Sequence, residues 1–259
     1  MNHHELFNHL HRPGHLLVIG NAWNSKSAQL YEKNGYEAIA TTSAAIANTL
    51  GYEDGQNISF EELFFVVKRI AAVTRLPLSV DMEAGYSEDI NTIVGYIEQL
   101  HGIGVVGINL EDSAMIQGKE QLIPAEQFGN KLSGIRHELD KRNIPLFINA
   151  RTDAYLINVP DKLNTTLQRI KLYEKAGASG IFIPFIDHLG EIQTITSSTT
   201  LPVNVLSMAT LPPFEALRKA GVRRVSLGSS LFRSLYNKLD NTMASILKDD
   251  SVAAVFGLK

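Results

Sequence analysis

The stretch SVDMEAGYS, residues 79–87, places Asp81 and Glu83 two positions apart at the end of an apolar segment. The residues before them have the composition of a buried β-strand, in which alternate side chains point to the same face. The two carboxylates are therefore predicted to project into one space. Burying like charges together raises their pKa values and costs free energy unless a cation compensates them. This pair is the first candidate for a functional site.

Two later segments repeat this alternation of apolar and polar residues. Their polar positions are Gly107, Asn109 and Glu111 in one segment, and Asn149, Arg151 and Asp153 in the other. Buried parallel strands normally read as nearly continuous apolar runs. Here the charged residues gather toward the carboxyl ends of the strands, where barrel enzymes build their sites. The three segments are therefore predicted to meet at one polar mouth.

Three carboxylates and one arginine in such a mouth leave an excess of negative charge. Arg151 offsets one of the three, and a divalent cation is the simplest counter-charge for the others. Clustered oxygen ligands favour Mg²⁺ or Mn²⁺ over zinc, so a metal site is predicted at Asp81, Glu83 and Glu111. The alternative is that each carboxylate separately caps a neighbouring helix or pairs with a lysine or arginine.

The elements that must position these residues alternate between strand and helix. Strands are predicted at Leu16–Gly20, Glu37–Thr42, Leu76–Glu83, Val105–Asp112, Leu146–Asp153, Gly180–Phe185, Pro202–Ser207 and Arg224–Ser229. Several of the amphipathic segments between them end in a glycine directly before the next strand, as helix C-termini do. The pattern predicts an α/β protein with a (β/α)8 TIM barrel. A doubly wound open sheet is the alternative, but no glycine-rich dinucleotide loop follows the first strand.

The composition excludes several classes of function. The 259 residues carry a formal net charge of −3 without a block of basic residues, which argues against a nucleic-acid partner. No cysteine is present, so disulfides, thiolate zinc sites and cysteine nucleophiles are excluded. No signal peptide or membrane-spanning run is recognisable, and a cytoplasmic enzyme with no membrane partner is expected. Four early histidines are interpreted as part of a polar first helix, with metal binding as the alternative: His3, His4, His9 and His11.

Three motifs in chain order, VDMEAGY, GINLEDS and NARTDAY, resemble those of the isocitrate lyase / phosphoenolpyruvate mutase superfamily. The resemblance covers nearly the whole chain. It implies a Mg²⁺-dependent barrel enzyme that acts on 2-oxo or 2-hydroxy carboxylates through a pyruvate-like enolate. By this resemblance, Asp81 is the direct metal ligand, and Glu83 and Glu111 hold the water molecules of the metal. Arg151 resembles the arginine that neutralises negative charge on the substrate.

Further residues are assigned by the same resemblance. The segment Thr42-Ser43-Ala44 lies where a turn binds the substrate carboxylate through backbone N–H groups at the start of a helix. Asp54 matches an aspartate on a loop near the site, and Asn204 matches a polar residue at the end of the seventh strand. The expected catalytic residues are Arg151, Asp54 and Lys119, the last on the gating loop. The expected substrate-binding residues are Thr42, Ser43, Ala44, Asp81, Arg151 and Asn204.

The chain departs from the motif that gives isocitrate and methylisocitrate lyases a cysteine as acid or base. The corresponding region, residues 111–124, has neither cysteine nor histidine. We therefore predict a Mg²⁺-dependent lyase or hydrolase that cleaves a C–C bond in a small, oxaloacetate-like 2-oxo carboxylate. Loss of CO₂ from a β-oxo acid needs only an electron sink. Phosphoenolpyruvate mutase or phosphonopyruvate hydrolase chemistry is the first alternative, and a barrel that binds a 2-oxo acid without turnover is the second.

Two loops and the C-terminus complete the predictions. Residues 51–57 and 113–124 are expected to close over the mouth as a lid. The chain is predicted to be a single barrel domain, residues 1–259, in which residues 231–259 form a C-terminal helical extension. Apolar residues recur every four positions in this extension, and such a stripe needs a partner surface: Leu231, Leu235, Leu239 and Met243. A homodimer or homotetramer is expected, with this helix exchanged between subunits as the resemblance implies; packing of the stripe on its own barrel is the alternative.

Overall fold

The alternation of apolar strands and amphipathic helices produces a closed parallel barrel. The computed structural model describes residues 1–55 and 57–257. Its strands are β1 (Leu17–Ala22), β2 (Ile39–Thr41), β3 (Leu78–Asp81), β4 (Val105–Glu111), β5 (Ser113–Ile116), β6 (Lys119–Leu122), β7 (Phe147–Arg151), β8 (Gly180–Ile183), β9 (Val203–Leu206) and β10 (Arg224–Ser226). All of these except β5 and β6 pair in parallel, and they close in the order β1-β2-β3-β4-β7-β8-β9-β10. The predicted (β/α)8 barrel is confirmed.

Helices connect the strands, and three of them end in a glycine as the sequence predicts. They are α1 (His3–Leu10), α2 (Ser25–Lys33), α3 (Ser43–Thr49), α4 (Phe60–Ala71), α5 (Ile90–Gly102), α6 (Ala125–Lys141), α7 (Lys162–Lys175), α8 (Leu189–Thr196), α9 (Phe214–Lys219) and α10 (Ser230–Asp249), followed by a 3₁₀ helix at Ala253–Phe256. Gly35, Gly177 and Gly221 follow α2, α7 and α9 with φ angles of 78°, 91° and 86°. A left-handed glycine just past a helix is the usual C-terminal cap.

The chain divides into two compact units. Residues 1–228 form one unit, which contains the barrel, and the second unit begins at residue 229 and contains α10 and the 3₁₀ helix. Among the described helices, none has both the length and the apolar character that crossing a lipid bilayer requires.

Helix α1 closes the amino end of the barrel with an apolar floor. Phe7 packs against Phe147 with ring centroids 5.3 Å apart, and both rings belong to a buried cluster with Leu17 and Ile19. The strands leave room for these rings because glycine stands beside them; a Cβ atom on Gly180 would lie 2.8 Å from Cζ of Phe147. The interpretation of the first helix as polar is therefore wrong for its inner face.

Above this floor the lumen of the barrel is polar, as the alternation of residues predicts. Asn149 donates a hydrogen bond of 2.9 Å to Asn109, and Asn204 donates one of 3.0 Å to Ser226. All four side chains are buried. Above the floor, the apolar residues at the alternate positions of these strands face the surrounding helices, so the polar face of each strand lines the interior.

A two-stranded antiparallel hairpin, β5 and β6, follows β4 and replaces the predicted loop at residues 113–124. Its turn consists of Gln117 and Gly118, both with positive φ angles, 52° and 75°. Two successive left-handed residues are the geometry of the two-residue turn that favours hairpins. In the other expected lid segment, residues 51–57, Gln56 lies outside the described residues.

Candidate active site

Asp81 ends β3 with one carboxylate oxygen paired and the other unpaired. Its Oδ2 accepts a hydrogen bond of 3.0 Å from the hydroxyl group of Ser43, and its backbone N–H donates to Oγ1 of Thr41 at 2.9 Å. Its Oδ1 is buried and has no hydrogen-bond partner among the described residues. An unpaired buried carboxylate oxygen is costly unless a ligand satisfies it. This oxygen therefore fits the direct metal ligand that the sequence predicts.

Glu83 lies near Asp81 because of a turn after β3, and not because the two residues share a strand face as predicted. The strand ends at Asp81, and Glu83 sits in the following turn with a φ angle of 47°. Tyr86, in the same turn with a φ angle of 60°, donates its hydroxyl hydrogen to Oε1 of Glu83 at 2.9 Å. The expectation that both acids share one strand face is wrong, because the backbone turns left-handed after Asp81. Such a conformation is strained for residues other than glycine and persists only where the surroundings enforce it.

Lys131 of α6 supplies part of that enforcement. Its ammonium group donates to the backbone oxygens of Ala84 at 2.8 Å and of Ser87 at 3.2 Å, so it holds the chain at two points directly after Glu83. Burial lowers the pKa of this lysine, and Glu88 nearby opposes that effect. Sequence reasoning missed this residue because nothing in the helical pattern of α6 distinguishes it from a surface lysine.

Arg151 is fixed between two carboxylates at the carboxyl end of β7. Its Nη1 lies 2.8 Å from Oε2 of Glu111, and its Nε donates to Oδ1 of Asp153 at 2.7 Å. Burial disfavours the charge of Arg151, but Glu111, Asp153 and Asp81 outweigh it and raise the pKa of the guanidinium group. Burial, together with the nearby carboxylates, raises the pKa of Glu111 despite Arg151. The acidic side chains around Arg151 therefore outnumber the one positive charge beside them, and each disfavours the ionisation of the others.

A second buried network holds this group in place from behind. Oδ2 of Asp112 accepts from Nη1 of Arg169 at 2.8 Å and from the hydroxyl group of Tyr173 at 2.6 Å. Its Oδ1 accepts the backbone N–H of Asp153 at 3.0 Å. The hydroxyl group of Ser113 donates to Oδ2 of Asp153 at 2.6 Å. The network joins α7 to the strand ends that carry Glu111 and Arg151.

Sequence reasoning missed Arg169 and Tyr173 as parts of the site. Their spacing of four residues on one face of α7 is the only local signal, since it allows both side chains to reach one acceptor. The acceptor itself, Asp112, stands in the GINLEDS motif, but its partners lie 57 and 61 residues further along the chain.

Helix α3 begins at Ser43, as predicted, beside Asp81. Thr42 is its N-cap and makes no side-chain capping bond, so the first backbone N–H groups are not capped by its own side chain. Burial and the nearby charge of Asp81 raise the pKa of Asp54, and Arg151 opposes this rise. A cavity of about 150 Å³ opens between this loop and the hairpin, lined by Asp54, Gly55, Glu111, Ser113, Ala114, Met115 and Glu120.

Two predicted site residues lie elsewhere. Asn204 is the second residue of β9 rather than its last, and it is paired with Ser226 inside the barrel. Lys119 is exposed at the start of β6, next to the turn, and does not line the cavity. Its neighbour Glu120 does, because successive residues of a strand face opposite sides. The predicted position of Asn204 at a strand end is therefore wrong, and Lys119 points away from the mouth in this conformation.

The residues at the mouth fit an ion that is held by one carboxylate and its own water molecules. Within residues 1–55 and 57–257, no three acidic or histidine side chains converge closely enough to bind a metal directly. Mg²⁺ commonly keeps several waters and binds one or two carboxylates. The unpaired Oδ1 of Asp81 suits the direct contact, and Glu83 and Glu111 suit contacts through water.

Comparisons with known proteins find a family model and several relatives that match most of the chain. A model of the family described as phosphoenolpyruvate phosphomutase matches residues 7–247. The chain is 34% identical over 223 residues to an uncharacterized protein of Mycobacterium tuberculosis, covering 86% of this chain and 81% of that protein. It is 27% identical over 243 residues to a 2-methylisocitrate lyase of Aeropyrum pernix, covering 90% and 76%. It is 29% identical over 222 residues to an oxaloacetate decarboxylase of Rhodopseudomonas palustris, covering 83% and 75%.

A solved structure resembles the whole chain. The crystal structure of a presumed phosphonomutase from Burkholderia cenocepacia J2315 superposes with a TM-score of 0.85 at 32% sequence identity. The match covers 95% of this chain and 99% of that one.

Proposed function

Because this chain belongs to the phosphoenolpyruvate phosphomutase family, we propose that it is a Mg²⁺-dependent enzyme that cleaves a C–C bond in a small 2-oxo carboxylate. Oxaloacetate is the first candidate substrate. The observation that carries the proposal is the unpaired, buried Oδ1 of Asp81 beside an arginine that is held between Glu111 and Asp153. Such a site suits a cation and an anionic substrate together.

Asp81 would hold the metal, and Glu83 and Glu111 would hold its water molecules. When bound, Mg²⁺ or Mn²⁺ supplies a Lewis acid that polarises the carbonyl group of a 2-oxo acid. The backbone N–H groups at Ser43 and Ala44 would bind the substrate carboxylate at the start of α3. Arg151 would orient the substrate through its positive charge, since both of its carboxylate partners fix its position.

Decarboxylation requires no further catalytic side chain to break the C–C bond. The C3–C4 bond of oxaloacetate breaks, CO₂ leaves, and the electron pair passes into the enolate of pyruvate, which then takes up one proton. No base is needed to start this reaction, which suits a chain that contains no cysteine. Cleavage of a 2-hydroxy acid would first require a base for the hydroxyl proton. The name of the Rhodopseudomonas palustris relative also favours oxaloacetate.

Chemistry at a P–C bond is the second candidate. The description of the matching family and the name of the Burkholderia structure both point to phosphonates. Phosphonopyruvate would present the same 2-oxo carboxylate to Asp81 and Arg151, and its cleavage would leave the same enolate.

The test is an assay of purified protein with oxaloacetate, in which pyruvate is measured with lactate dehydrogenase. Because free divalent metal decarboxylates oxaloacetate slowly, the Asp81→Asn variant at the same metal concentration defines the background. Asp140→Asn, an exposed change on α6, is the matched control and is expected to keep full activity. Pyruvate formation that exceeds the background and disappears with EDTA supports the proposal.

The other outcomes separate the alternatives. Formation of oxalate and acetate in place of pyruvate would identify a hydrolase on the same substrate. Turnover of phosphonopyruvate with none of oxaloacetate would favour the second candidate. Thermal stabilisation by oxaloacetate and Mg²⁺, without any product from either substrate, would identify a barrel that only binds its ligand.

A further inference from the structure

Among the residues that the structure describes, five buried polar atoms in the lumen of the barrel or directly below it have no hydrogen-bond partner. They are Nε2 of His11, Oγ of Ser79, Oδ1 of Asp81, and Nη1 and Nη2 of Arg224. Buried polar atoms in native proteins are nearly always paired with protein groups or with ordered water. Their concentration along one axis needs a common explanation.

Arg224 carries the positive charge in this set. It begins β10 and is 1% exposed, so its guanidinium group is fully enclosed. Its Nε donates to Oγ of Ser226 at 3.3 Å, two residues toward the carboxyl end of the strand. The side chain therefore points up the lumen, from the floor toward the mouth. An isolated buried charge is among the most costly features of a folded protein.

Asp81 is the acidic group that faces Arg224 from the other end of the lumen. Its Oδ1 is buried and unpaired, and Ser79, two residues earlier on the same strand face, is unpaired as well. Burial lowers the pKa of Arg224 to about 9, and the negative charge of Asp81 opposes that shift. The two charges therefore interact, but the terminal nitrogens of Arg224 make no direct hydrogen bond to the carboxylate.

His11 does not supply a second cation. Its Nδ1 lies 2.8 Å from the backbone oxygen of Phe7, so Nδ1 carries the hydrogen and Nε2 is an acceptor. Burial, reinforced by Arg224, lowers the pKa of His11 to about 3. The lumen thus contains a guanidinium donor between two acceptors, one above it and one below it.

We propose that Arg224 is a buried counter-cation for Asp81, linked to it by ordered water molecules that also bind Ser79 and His11. A buried water makes about three hydrogen bonds to groups that lack other partners, and these five atoms provide them. Arg224 compensates Asp81 from below and is a positioning residue. This inference rests on the proposed function in one respect, the position of the metal at Asp81. A metal ion bound there and Arg224 are both positive, so they repel each other.

Metal affinity tests the proposal without an activity assay. Arg224→Met removes the charge and keeps most of the volume, and the neighbouring, partly exposed Arg223→Met is the matched control. Mn²⁺ binding is measured by electron paramagnetic resonance. We expect Arg224→Met to bind Mn²⁺ about tenfold more tightly, because the variant lacks a buried positive charge that repels the metal ion. Arg223→Met and Arg224→Lys are expected to stay within about twofold of the unmodified protein.

If Arg224 has only a structural role, the opposite result is expected, because its loss would loosen β10 and weaken Mn²⁺ binding. Equal or weaker binding by Arg224→Met therefore overturns the proposal. A metal-free crystal structure of the unmodified protein, soaked in bromide, gives a second test that does not depend on the variant folding. We expect ordered waters that bridge Arg224 and Asp81. A dry lumen, or a bromide ion at Arg224, would refute the water-linked pair.

The two tests also separate this inference from the proposed function. If the unmodified protein binds no Mn²⁺, the metal site of the proposed function fails, and the crystal structure alone decides the role of Arg224. If Mn²⁺ binds and Arg224→Met does not bind it more tightly, only the inference about Arg224 fails.

Discussion

The hydroxyl group of Tyr173 lies 2.6 Å from Oδ2 of Asp112, and neither side chain is exposed to solvent. This bond joins the outer helix α7 to the end of β4. Oδ1 of the same carboxylate receives the backbone N–H of Asp153, whose side chain holds Arg151. The position of Arg151 at the mouth therefore depends on a side chain of a surrounding helix.

Removing this hydroxyl group is expected to destabilise the protein. Tyr173→Phe deletes the hydrogen bond to the buried carboxylate and the one that Arg169 donates to the hydroxyl group at 2.8 Å. Arg169 remains as the side-chain partner of Asp112, so we expect a loss of about 1.5–3 kcal/mol. The free energy of unfolding is measured by urea titration. Tyr36→Phe is the control, with an expected change within about 0.5 kcal/mol. Equal stabilities of the two variants would contradict the role of the Tyr173–Asp112 bond.

Asp81→Asn is expected to abolish metal binding while the fold remains intact. The change removes the charge but keeps the shape, and the amide still reaches Ser43. We expect no detectable Mn²⁺ binding and a chain that still folds, with an unfolding free energy lower by about 1–3 kcal/mol because the buried Arg224 loses its counter-charge. Calorimetric titration with Mn²⁺ and circular dichroism measure the two quantities. Unchanged Mn²⁺ affinity would show that Asp81 is not the direct ligand.

Lys131→Met is expected to weaken metal binding indirectly, through the turn that holds Glu83. Without the ammonium group, the backbone oxygens of Ala84 and Ser87 lose a shared donor, and the strained turn that holds Glu83 relaxes. Outer partners of metal ligands typically account for about 10- to 100-fold in affinity, and we expect about tenfold weaker Mn²⁺ binding. Lys141→Met, on the exposed end of the same helix, is expected to bind as the original does. If both variants bind Mn²⁺ with the same affinity, the contacts of Lys131 have no role in the metal site.

His11 is expected to make the barrel floor sensitive to acid. Burial and Arg224 lower its pKa from 6.5 to about 3, so below pH 6.5 the unfolded chain takes up a proton that the folded chain does not. Stability therefore falls as the pH decreases from 6.5 toward 3, by at most about 1.4 kcal/mol per pH unit from this group.

Variants of two histidines isolate that contribution. His11→Phe removes the titrating group, and we expect the unfolding free energy to depend less on pH between 7 and 4.5 than in the original. His9→Phe, at an exposed position of α1 two residues earlier, is expected to keep the original dependence. Identical pH slopes for the three proteins would rule out a buried neutral His11.

The chain is expected to form a homodimer or homotetramer through α10. Leu231, Leu235, Leu239 and Met243 of this helix are all exposed, with exposed fractions of 45–58%, and they recur every four residues. Light scattering at micromolar concentration is expected to return a multiple of the chain mass, and Leu235→Glu with Leu239→Glu is expected to reduce it. Lys238→Glu is the control for added charge. A mass of one chain for the original protein would end this prediction.

The sequence by itself determined the barrel and the face on which its polar residues lie. Strand periodicity is a local property: a side chain two positions from another shares its side of the sheet whatever the rest of the chain does. For that reason Asn109, Glu111, Asn149 and Arg151 were all predicted on the inner face, and they lie there. The glycines after α2, α7 and α9 are local signals of the same kind, since each ends a helix at a predictable residue.

Only the tertiary structure decided which groups meet at the mouth and what holds them. Glu83 reaches the site through a left-handed turn that Lys131 braces from α6, and Asn204 lies inside the barrel because β9 extends two residues beyond it. Arg169 and Tyr173 lie more than 50 residues from Asp112 in the chain. Contacts of this kind depend on the curvature and closure of the barrel, which bring distant strand ends together. No pattern within one segment records that geometry, and Arg224, inconspicuous in sequence, becomes a buried charge only when the barrel closes around it.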